Sequence, residues 1–290
     1  MITNHRTARR LLPPLVKFST LCGGFLNQFG WFFLGIGMIF AWLFVGNSDL
    51  RSLFIYGPVD IVQGTIKAYR DTGASEGGGG SSDGDPVYKS FFEFTYQGEL
   101  HDGVSYNTGT RPVTHRLTEI EVPEGRPDLA IVRGERRAIF DLWACCVLIF
   151  PGVGLGFLAF GFRRSRKALR LLRVGEVAEA KFVRKEATYA NINNQPVYRV
   201  MFEYQARDGQ TYSFWDKTHE IELLEDDPLE RLVYDPHNPE NAMLFDVIPG
   251  KPTLTLTGQV QAAKGAALLF VIPGVSILGH GAYLMHWLKI

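Results

Sequence analysis

Cysteine is scarce in this chain, and its charges cancel. Only Cys22, Cys145 and Cys146 occur among 290 residues, and all three lie in or beside long uncharged apolar runs. The segments between those runs contain no cysteine, which excludes a disulfide within either of them. The adjacent pair Cys145 and Cys146 is typical of soft packing residues rather than of a redox site. The formal net charge of zero gives no overall field that would attract nucleic acid.

Motifs with the spacing of a catalytic site are also missing. The sequence lacks H-E-x-x-H, Cys-x-x-Cys and Walker patterns, and it matches G-x-S-x-G only within the glycine-rich stretch 73–84, where no strand-to-helix elbow is expected. We therefore predict no catalytic, cofactor-binding or metal-binding residues, and a protein that is not an enzyme. A metal-dependent hydrolase is kept as an alternative. Its ligands would be histidines of the second half of the chain, His219-Glu220 and His237, although neither these nor His101-Asp102 and His115 have the spacing of a metal site.

Three apolar runs dominate the chain, at residues 25–45, 142–162 and 265–285. Each contains about 21 residues without a charge, the length that crosses roughly 30 Å of hydrocarbon. We predict three transmembrane helices, the second kinked at Pro151. The first run is too long for a signal peptide and no small-x-small site closes it, which favours an uncleaved anchor. His280 lies in the third run, where we expect it to be hydrogen-bonded or to reach the interface.

One stretch occurs twice between the apolar runs. Residues 86–94 and 196–204 share Pro, Val, Tyr, Phe and Glu at the same five positions. The alternation of both copies predicts half-buried strands. One face carries Tyr88, Ser90, Phe92, Phe94 and Tyr96, and in the second copy Tyr198, Val200, Phe202 and Tyr204. The opposite face carries Lys89 with Glu93, and Arg199 with Glu203, which we interpret as solvated charge pairs.

The repeat predicts two related β-domains, at residues 59–141 and 174–250. Several short strands separated by turn signals favour small barrels that are closed or nearly closed. The first domain contains a glycine-rich stretch, 73–84, which we predict as a mobile loop, and the second has a short polar loop at 190–195. The fold class is thus a membrane protein of mixed α and all-β type, with three transmembrane helices alternating with two small related β-barrel-like domains.

Basic residues flank the spans unevenly. Residues 1–24 form a basic N-terminal segment, and residues 163–173 form a basic stretch with an apolar stripe of Ala168, Leu169 and Leu172. We expect the second stretch to lie on an anionic lipid surface rather than on nucleic acid. Because cytoplasmic flanks are richer in Lys and Arg, we place the N-terminus and the second β-domain in the cytoplasm, and the first β-domain and the C-terminus outside.

The second half of the chain resembles a known family. Residues 233–240, Val-Tyr-Asp-Pro-His-Asn-Pro-Glu, follow a small β-rich segment and precede a span. This arrangement is similar to the bacterial membrane-protein family called domain of unknown function 3592, best over residues 174–285. In the first half, Ile131-Val132-Arg133-Gly134 replaces the Tyr-Asp-Pro turn. The resemblance implies membrane residence and a β-rich domain, as a tandem duplication, without an activity or site residues.

The function that we expect is therefore structural. The favoured hypothesis is a non-enzymatic protein of the bacterial inner membrane that acts as an interaction or scaffold component of an envelope complex. Its partners would be the lipid bilayer and membrane proteins or a second copy. A membrane immunity or accessory protein for a secreted toxin is an alternative that the sequence does not separate from it. A transporter is less favoured, because three spans without a central charge are too few for one without oligomerisation.

Overall fold

Three long apolar helices run through the computed structural model, which describes residues 9–77, 84–192, 195–218, 229–255 and 257–288. The stretches that could cross a bilayer are Phe25–Asn47, Leu142–Val174 and Ala266–Leu288. The first two contain the predicted spans and the third contains all of its span but Gly265, so the length and composition of the apolar runs located all three. The helices are α1 (Pro14–Cys22), α2 (Phe25–Phe44), α3 (Ile149–Val174) and α4 (Val271–Leu288).

The described strands fall into two five-stranded sheets and one small hairpin. The first sheet contains β1 (Val59–Glu76), β2 (Asp85–Tyr96), β3 (Glu99–Thr108), β4 (Leu117–Pro123) and β5 (Ile131–Val132). The second contains β6 (Glu176–Ile192), β7 (Gln195–Gln205), β8 (Thr211–Thr218), β9 (Glu230–Asp235) and β10 (Asn238–Leu244). The hairpin pairs β11 (Thr253–Leu254) with β12 (Val260–Gln261).

Two compact units divide these elements. The β1–β5 unit is Gly37–Pro151, and the β6–β12 unit comprises Met1–Ile36 and Gly152–Ile290. The strand order is β3-β2-β1-β4-β5 in the sheet of the β1–β5 unit. It is β10-β9-β6-β7-β8 in the large sheet of the β6–β12 unit. In each sheet the first strand along the chain is central, with an antiparallel hairpin on one side and the last two strands on the other.

Both sheets curl towards closure. In the β1–β5 unit, Tyr106 of β3 forms an antiparallel bridge with Arg136, which follows β5. The two backbone hydrogen bonds of this bridge measure 2.7 and 3.0 Å. In the β6–β12 unit the edge strands β8 and β10 contact each other. The result is a nearly closed, barrel-like sheet, which hides backbone groups that open edges would expose.

The inner faces of the sheets hold the side chains that the alternation predicted. Phe92 is 2% exposed and lies with Phe94 and Tyr96 in one core. Phe202 is fully buried in the other, with Val200 and Tyr204. Lysine and glutamate alternate with the rings on β2 and stay partly exposed. A period of two therefore identified the core face of both strands.

The central strands are longer than the sequence predicted. β1 continues to Glu76, and after a bulge it pairs Ser75 with Pro86. Residues 73–76, predicted as part of the glycine-rich loop, thus form the end of a strand, and residues 78–83 lie outside the described residues. β6 likewise extends to Ile192, where a polar loop was expected. Backbone pairing across a long hairpin needs no apolar side chains, so the composition did not reveal it.

Registers in the two central hairpins correspond position by position. Ile66 pairs with Phe92, and Phe182 pairs with Phe202. A register shift follows each pair at once on the central strand. Further along, Thr72 Oγ1 donates to the Val87 carbonyl and Thr188 Oγ1 to the Val197 carbonyl, both at 2.7 Å.

Helix α3 continues well beyond the predicted second span. Its 26 residues run without interruption to Val174, so residues 163–173 are its last three turns rather than a separate segment. Ala168, Leu171 and Leu172 are fully buried there, in a cluster formed with α1, β9 and β10. The apolar stripe that we expected to face lipid therefore packs against protein. Lys167 and four arginines remain exposed on the outer side of the helix, and Arg164 is half-buried; the four are Arg163, Arg166, Arg170 and Arg173.

Prolines lie in the first turns of α3 and α4 and do not bend these helices. Pro151 is the third residue of α3, and a 3₁₀ turn, Leu142–Leu148, precedes the helix. Pro273 is likewise the third residue of α4, after the 3₁₀ turn Ala266–Phe270. A proline in the first turn lacks an N–H that would have no intrahelical partner anyway. The predicted kink at Pro151 is replaced by a change from 3₁₀ to α geometry.

Small residues bring the helices of the β6–β12 unit close together. A Cβ added at Gly30 of α2 would lie 2.9 Å from the backbone nitrogen of Leu158 in α3, and one at Gly154 would lie 2.5 Å from that of Leu34. Glycine is therefore needed at both contacts. Helix α4 joins them through His280, whose Nε2 is 3.0 Å from the Gly35 carbonyl oxygen. The histidine is hydrogen-bonded, as the sequence predicted.

Candidate interaction site

The histidines considered as metal ligands have separate surroundings wherever the structure describes them. His101 stacks on the ring of Phe94, with centroids 5.5 Å apart. His115 is exposed in a turn, and its backbone N–H donates to Ile66. His237 is exposed beyond β9, while His219 and Glu220 lie outside the described residues. Within the described ranges, no three of the His, Cys, Asp and Glu side chains are placed to share a metal ion.

The half-buried acid Glu135 holds together one end of the β1–β5 sheet. Its carboxylate accepts hydrogen bonds from Asn107 Nδ2 at 2.8 Å and from the hydroxyls of Ser105 and Ser90. Both serines are fully buried on neighbouring strands. Three neutral donors from β2 and β3 thus fix the segment after β5 to the sheet. The arrangement is a structural anchor, since it joins elements that the closing bridge of Arg136 also joins.

In the β6–β12 unit, the hydroxyls of two buried tyrosines hold turns to the sheet. The Tyr234 hydroxyl donates to Glu176 at 2.8 Å and accepts from the Arg207 backbone N–H at 3.0 Å. The Tyr204 hydroxyl donates to the carbonyl of Pro239. Burial raises the pKa of both phenols above their usual range, with Glu176 adding to the effect at Tyr234. These hydroxyls therefore stay protonated at neutral pH and act as hydrogen-bond donors that hold the turns.

An arginine–tryptophan stack lies on the outer face of the second sheet. The guanidinium carbon of Arg199 is 4.2 Å from the ring centroid of Trp215, and that of Arg184 is 5.1 Å from it. Three strands supply the three side chains: β6, β7 and β8. Arg184 and Arg199 are exposed, whereas Trp215 is partly exposed. The stack therefore presents a flat, cationic and aromatic surface to its surroundings.

A related cluster occupies the outer face of the first sheet. Lys89 Nζ lies 5.2 Å from the ring centroid of Phe91 and 5.8 Å from that of Tyr106. These residues border an open hollow of about 660 Å³. At its edge Lys67 pairs with Glu93 at 2.6 Å. Lys89 and Arg199 occupy the same position in the repeated stretch, so a cation stands beside an outward aromatic ring on both sheets.

Outward cation–aromatic groups of this kind suit contact with another protein. Tryptophan, tyrosine and arginine are the residue types that dominate binding energy at protein interfaces. A ring held between guanidinium groups loses little conformational freedom when a partner covers it. The alternation of the sequence predicts Arg199 on the solvent side, where it was interpreted as a solvated charge. The sequence gives no indication of Trp215, because only the register between β7 and β8 brings this ring beside that arginine.

Comparison with known protein families, with curated proteins and with solved structures gives no match to this chain. The resemblance noted for residues 174–285 stays a prediction. The interpretation of the two surfaces therefore depends on their geometry alone.

Proposed function

We propose that this chain is a non-enzymatic integral membrane protein whose two β-domains bind other envelope proteins. The observation that carries the proposal is the pair of outward cation–aromatic groups, Arg184–Trp215–Arg199 on one sheet and Lys89–Phe91–Tyr106 on the other. Both lie on the hairpin side of their sheet. Three apolar helices that could cross a membrane are consistent with membrane residence. An interaction or scaffold role uses all of these features together.

We also propose that the two β-domains descend from one duplicated module. The support is the shared strand order, the matching register at Phe92 and Phe202, and the bulge that follows each pair. The two equivalent threonine bonds to the facing strand agree with it. So does a 3₁₀ turn followed by a proline in the first turn of α3 and of α4. The duplicated module would then comprise a β-domain and the helix after it.

The orientation that we propose follows from the charges beside the spans. Within about 20 residues of the span ends, the flanks before the first span, after the second and before the third carry thirteen Lys and Arg residues, and the opposite flanks carry six. The richer side is cytoplasmic under the positive-inside rule. On this basis the membrane is the bacterial inner membrane, with the N-terminus in the cytoplasm. Crossing once between the β-domains would give the two interaction surfaces different partners.

Crosslinking in native membranes tests the interaction role. The full-length protein, treated with a short amine- or photo-reactive crosslinker, should be recovered in a complex larger than the monomer. Trp215→Ala should remove the partner of the second sheet and Lys89→Ala that of the first. Val177→Ala is the matched control, because Val177 is 39% exposed on β6 outside the stack. Recovery of the unmodified chain only as a free monomer in native gels would contradict the proposal.

A further inference from the structure

A second hollow, of about 570 Å³, lies within the β6–β12 unit, where the helices meet the β-domain. Its wall includes the start of α2, the point where the apolar part of α3 ends, and the approach to α4. In each of these helices the uncharged stretch begins or ends at the same place. If the helices span a bilayer, the hollow therefore lies at the depth of the lipid headgroups.

The lining combines positive charge with apolar surface. Arg164, Lys251 and Lys264 line the hollow, and Asp246 is the acid among its lining residues. Arg164 makes two contacts at 3.5 Å, to Asp216 and to the Val247 carbonyl, which is the outer limit of a hydrogen bond. Phe25, Leu26 and Leu269 supply the apolar part of the wall. An amphiphile with an anionic head fits this division of the surface.

The floor of the hollow is built for close approach of the backbone. A Cβ at Gly23 would lie 2.4 Å from the Gly250 nitrogen, so two glycine turns pack directly on each other. Lys251, the next residue, has a φ of 41°, which is uncommon for a residue with a side chain. Backbone strain of this kind concentrates at binding sites, where the surrounding structure holds it in place. The φ of Lys251 sets the direction in which this cationic side chain leaves the turn.

A buried polar side chain joins α2 to α3 at the edge of the hollow. Asn27 lines the hollow and is 1% exposed. Its Nδ2 donates to the Gly23 carbonyl at 2.8 Å and to Ser165 Oγ at 3.0 Å. Its Oδ1 accepts a hydrogen bond from no group in the described part of the chain. This oxygen packs against Gly161 of α3, where an added Cβ would lie 2.0 Å away, so Asn27 holds the two helices together at the edge of the hollow.

We propose that this hollow binds one anionic phospholipid. The phosphate lies among Arg164, Lys251 and Lys264, and the acyl chains leave along Phe25 and Leu269. Phosphatidylglycerol has this chemistry. The site differs from a general basic surface, because Arg163, Arg166 and Lys167 point outward from the same helix and do not line it. The inference needs membrane residence and does not depend on the interaction role.

Lipid titration of the full-length protein in a neutral detergent tests the site. Native mass spectrometry counts bound lipid while phosphatidylglycerol, phosphatidylcholine or inorganic phosphate is added. We expect one phosphatidylglycerol to bind about tenfold or more tightly than phosphatidylcholine, since one charge-assisted contact is worth about that factor. Inorganic phosphate should not occupy the site at the same concentrations, because it lacks the acyl chains. Equal binding of phosphatidylglycerol and phosphatidylcholine would overturn the proposal.

Matched substitutions separate the hollow from general attraction to charge. Lys264→Gln should weaken phosphatidylglycerol binding about tenfold, and Lys251→Gln is a second variant should the first fold poorly. Lys167→Gln removes the same charge from the exposed side of α3 and should change binding less than about twofold. An equal loss in Lys167→Gln and Lys264→Gln would show a distributed surface and refute a discrete site. Displacement of the lipid by millimolar phosphate would refute the assignment to a membrane lipid.

Discussion

Replacing Phe202 by alanine should destabilise the β6–β12 unit strongly. The side chain is fully buried, and its ring contacts those of Phe182 and Phe214 at centroid distances of 5.9 and 5.7 Å. Truncation of a buried phenylalanine costs about 3–5 kcal/mol, and each aromatic pair contributes about 0.5–1.5 kcal/mol beyond its buried area. Because both pairs are lost at an enclosed site, we expect about 4–5 kcal/mol. A typical domain is stable by only about 5–15 kcal/mol.

The loss can be measured on the whole protein in detergent by pulse proteolysis across a urea series. Cleavage within residues 176–244 reports unfolding of this sheet, and the shift in midpoint gives the change in free energy of unfolding. Phe160→Ala is the matched control, since that ring is 63% exposed on α3. We expect its effect to stay within about 0.5 kcal/mol, as at other exposed positions. Phe202→Leu should recover most of the loss, because it refills most of the cavity.

A loss below about 1 kcal/mol for Phe202→Ala, or one equal to that of Phe160→Ala, would refute the placement of this ring in a packed core. The same experiment on Phe92→Ala examines the duplication, since Phe92 holds the equivalent register position in the β1–β5 unit. We expect Phe202→Ala to lower the protease resistance of the β6–β10 sheet only, and Phe92→Ala to lower that of the β1–β5 sheet only.

Gly103→Ala should destabilise the β1–β5 unit by about 1–3 kcal/mol, because the new Cβ would lie 2.1 Å from the Phe92 ring. Phe92→Leu in the same chain should relieve part of that loss in the proteolysis assay, and strict additivity would contradict the clash. Tyr234→Phe removes two hydrogen bonds of its hydroxyl and should cost about 1–3 kcal/mol by urea unfolding; an unchanged midpoint would count against the turn-holding role. In a background without native cysteines, Glu99→Cys should react with an impermeant maleimide on intact spheroplasts and Gln210→Cys should not. The reverse labelling would invert the proposed topology.

Much of the fold was accessible from the sequence, because the relevant signals are local. Span length follows from counting uncharged residues, and the core faces of β2 and β7 follow from a period of two. The turn after Asp235 follows from its two prolines, and β9 ends there. The limits of β1 and β6 were not accessible, because glycine and polar residues continue a strand only when a facing strand pairs with them.

The surfaces were harder to predict, because they depend on contacts between distant segments. An apolar stripe such as Ala168 and Leu172 has the same pattern whether lipid or protein covers it, and here the β-domain covers it. The stack on Trp215 needs three strands in one register. The hollow beside Arg164 needs the ends of three helices to converge. Neither arrangement has a signature within any one stretch of sequence.

The continuous helix α3 has a mechanical consequence for the domain that it carries. About 39 Å long at 1.5 Å per residue, it is embedded in the β6–β12 core over its last turns, with no flexible linker between. Leu171 and Leu172 fix the helix to the domain, because both side chains are fully buried. A change in the tilt or rotation of the helix within a bilayer would therefore rotate this domain as well. A change in bilayer thickness that tilts the helix would then change the orientation of the stack of Arg184, Trp215 and Arg199.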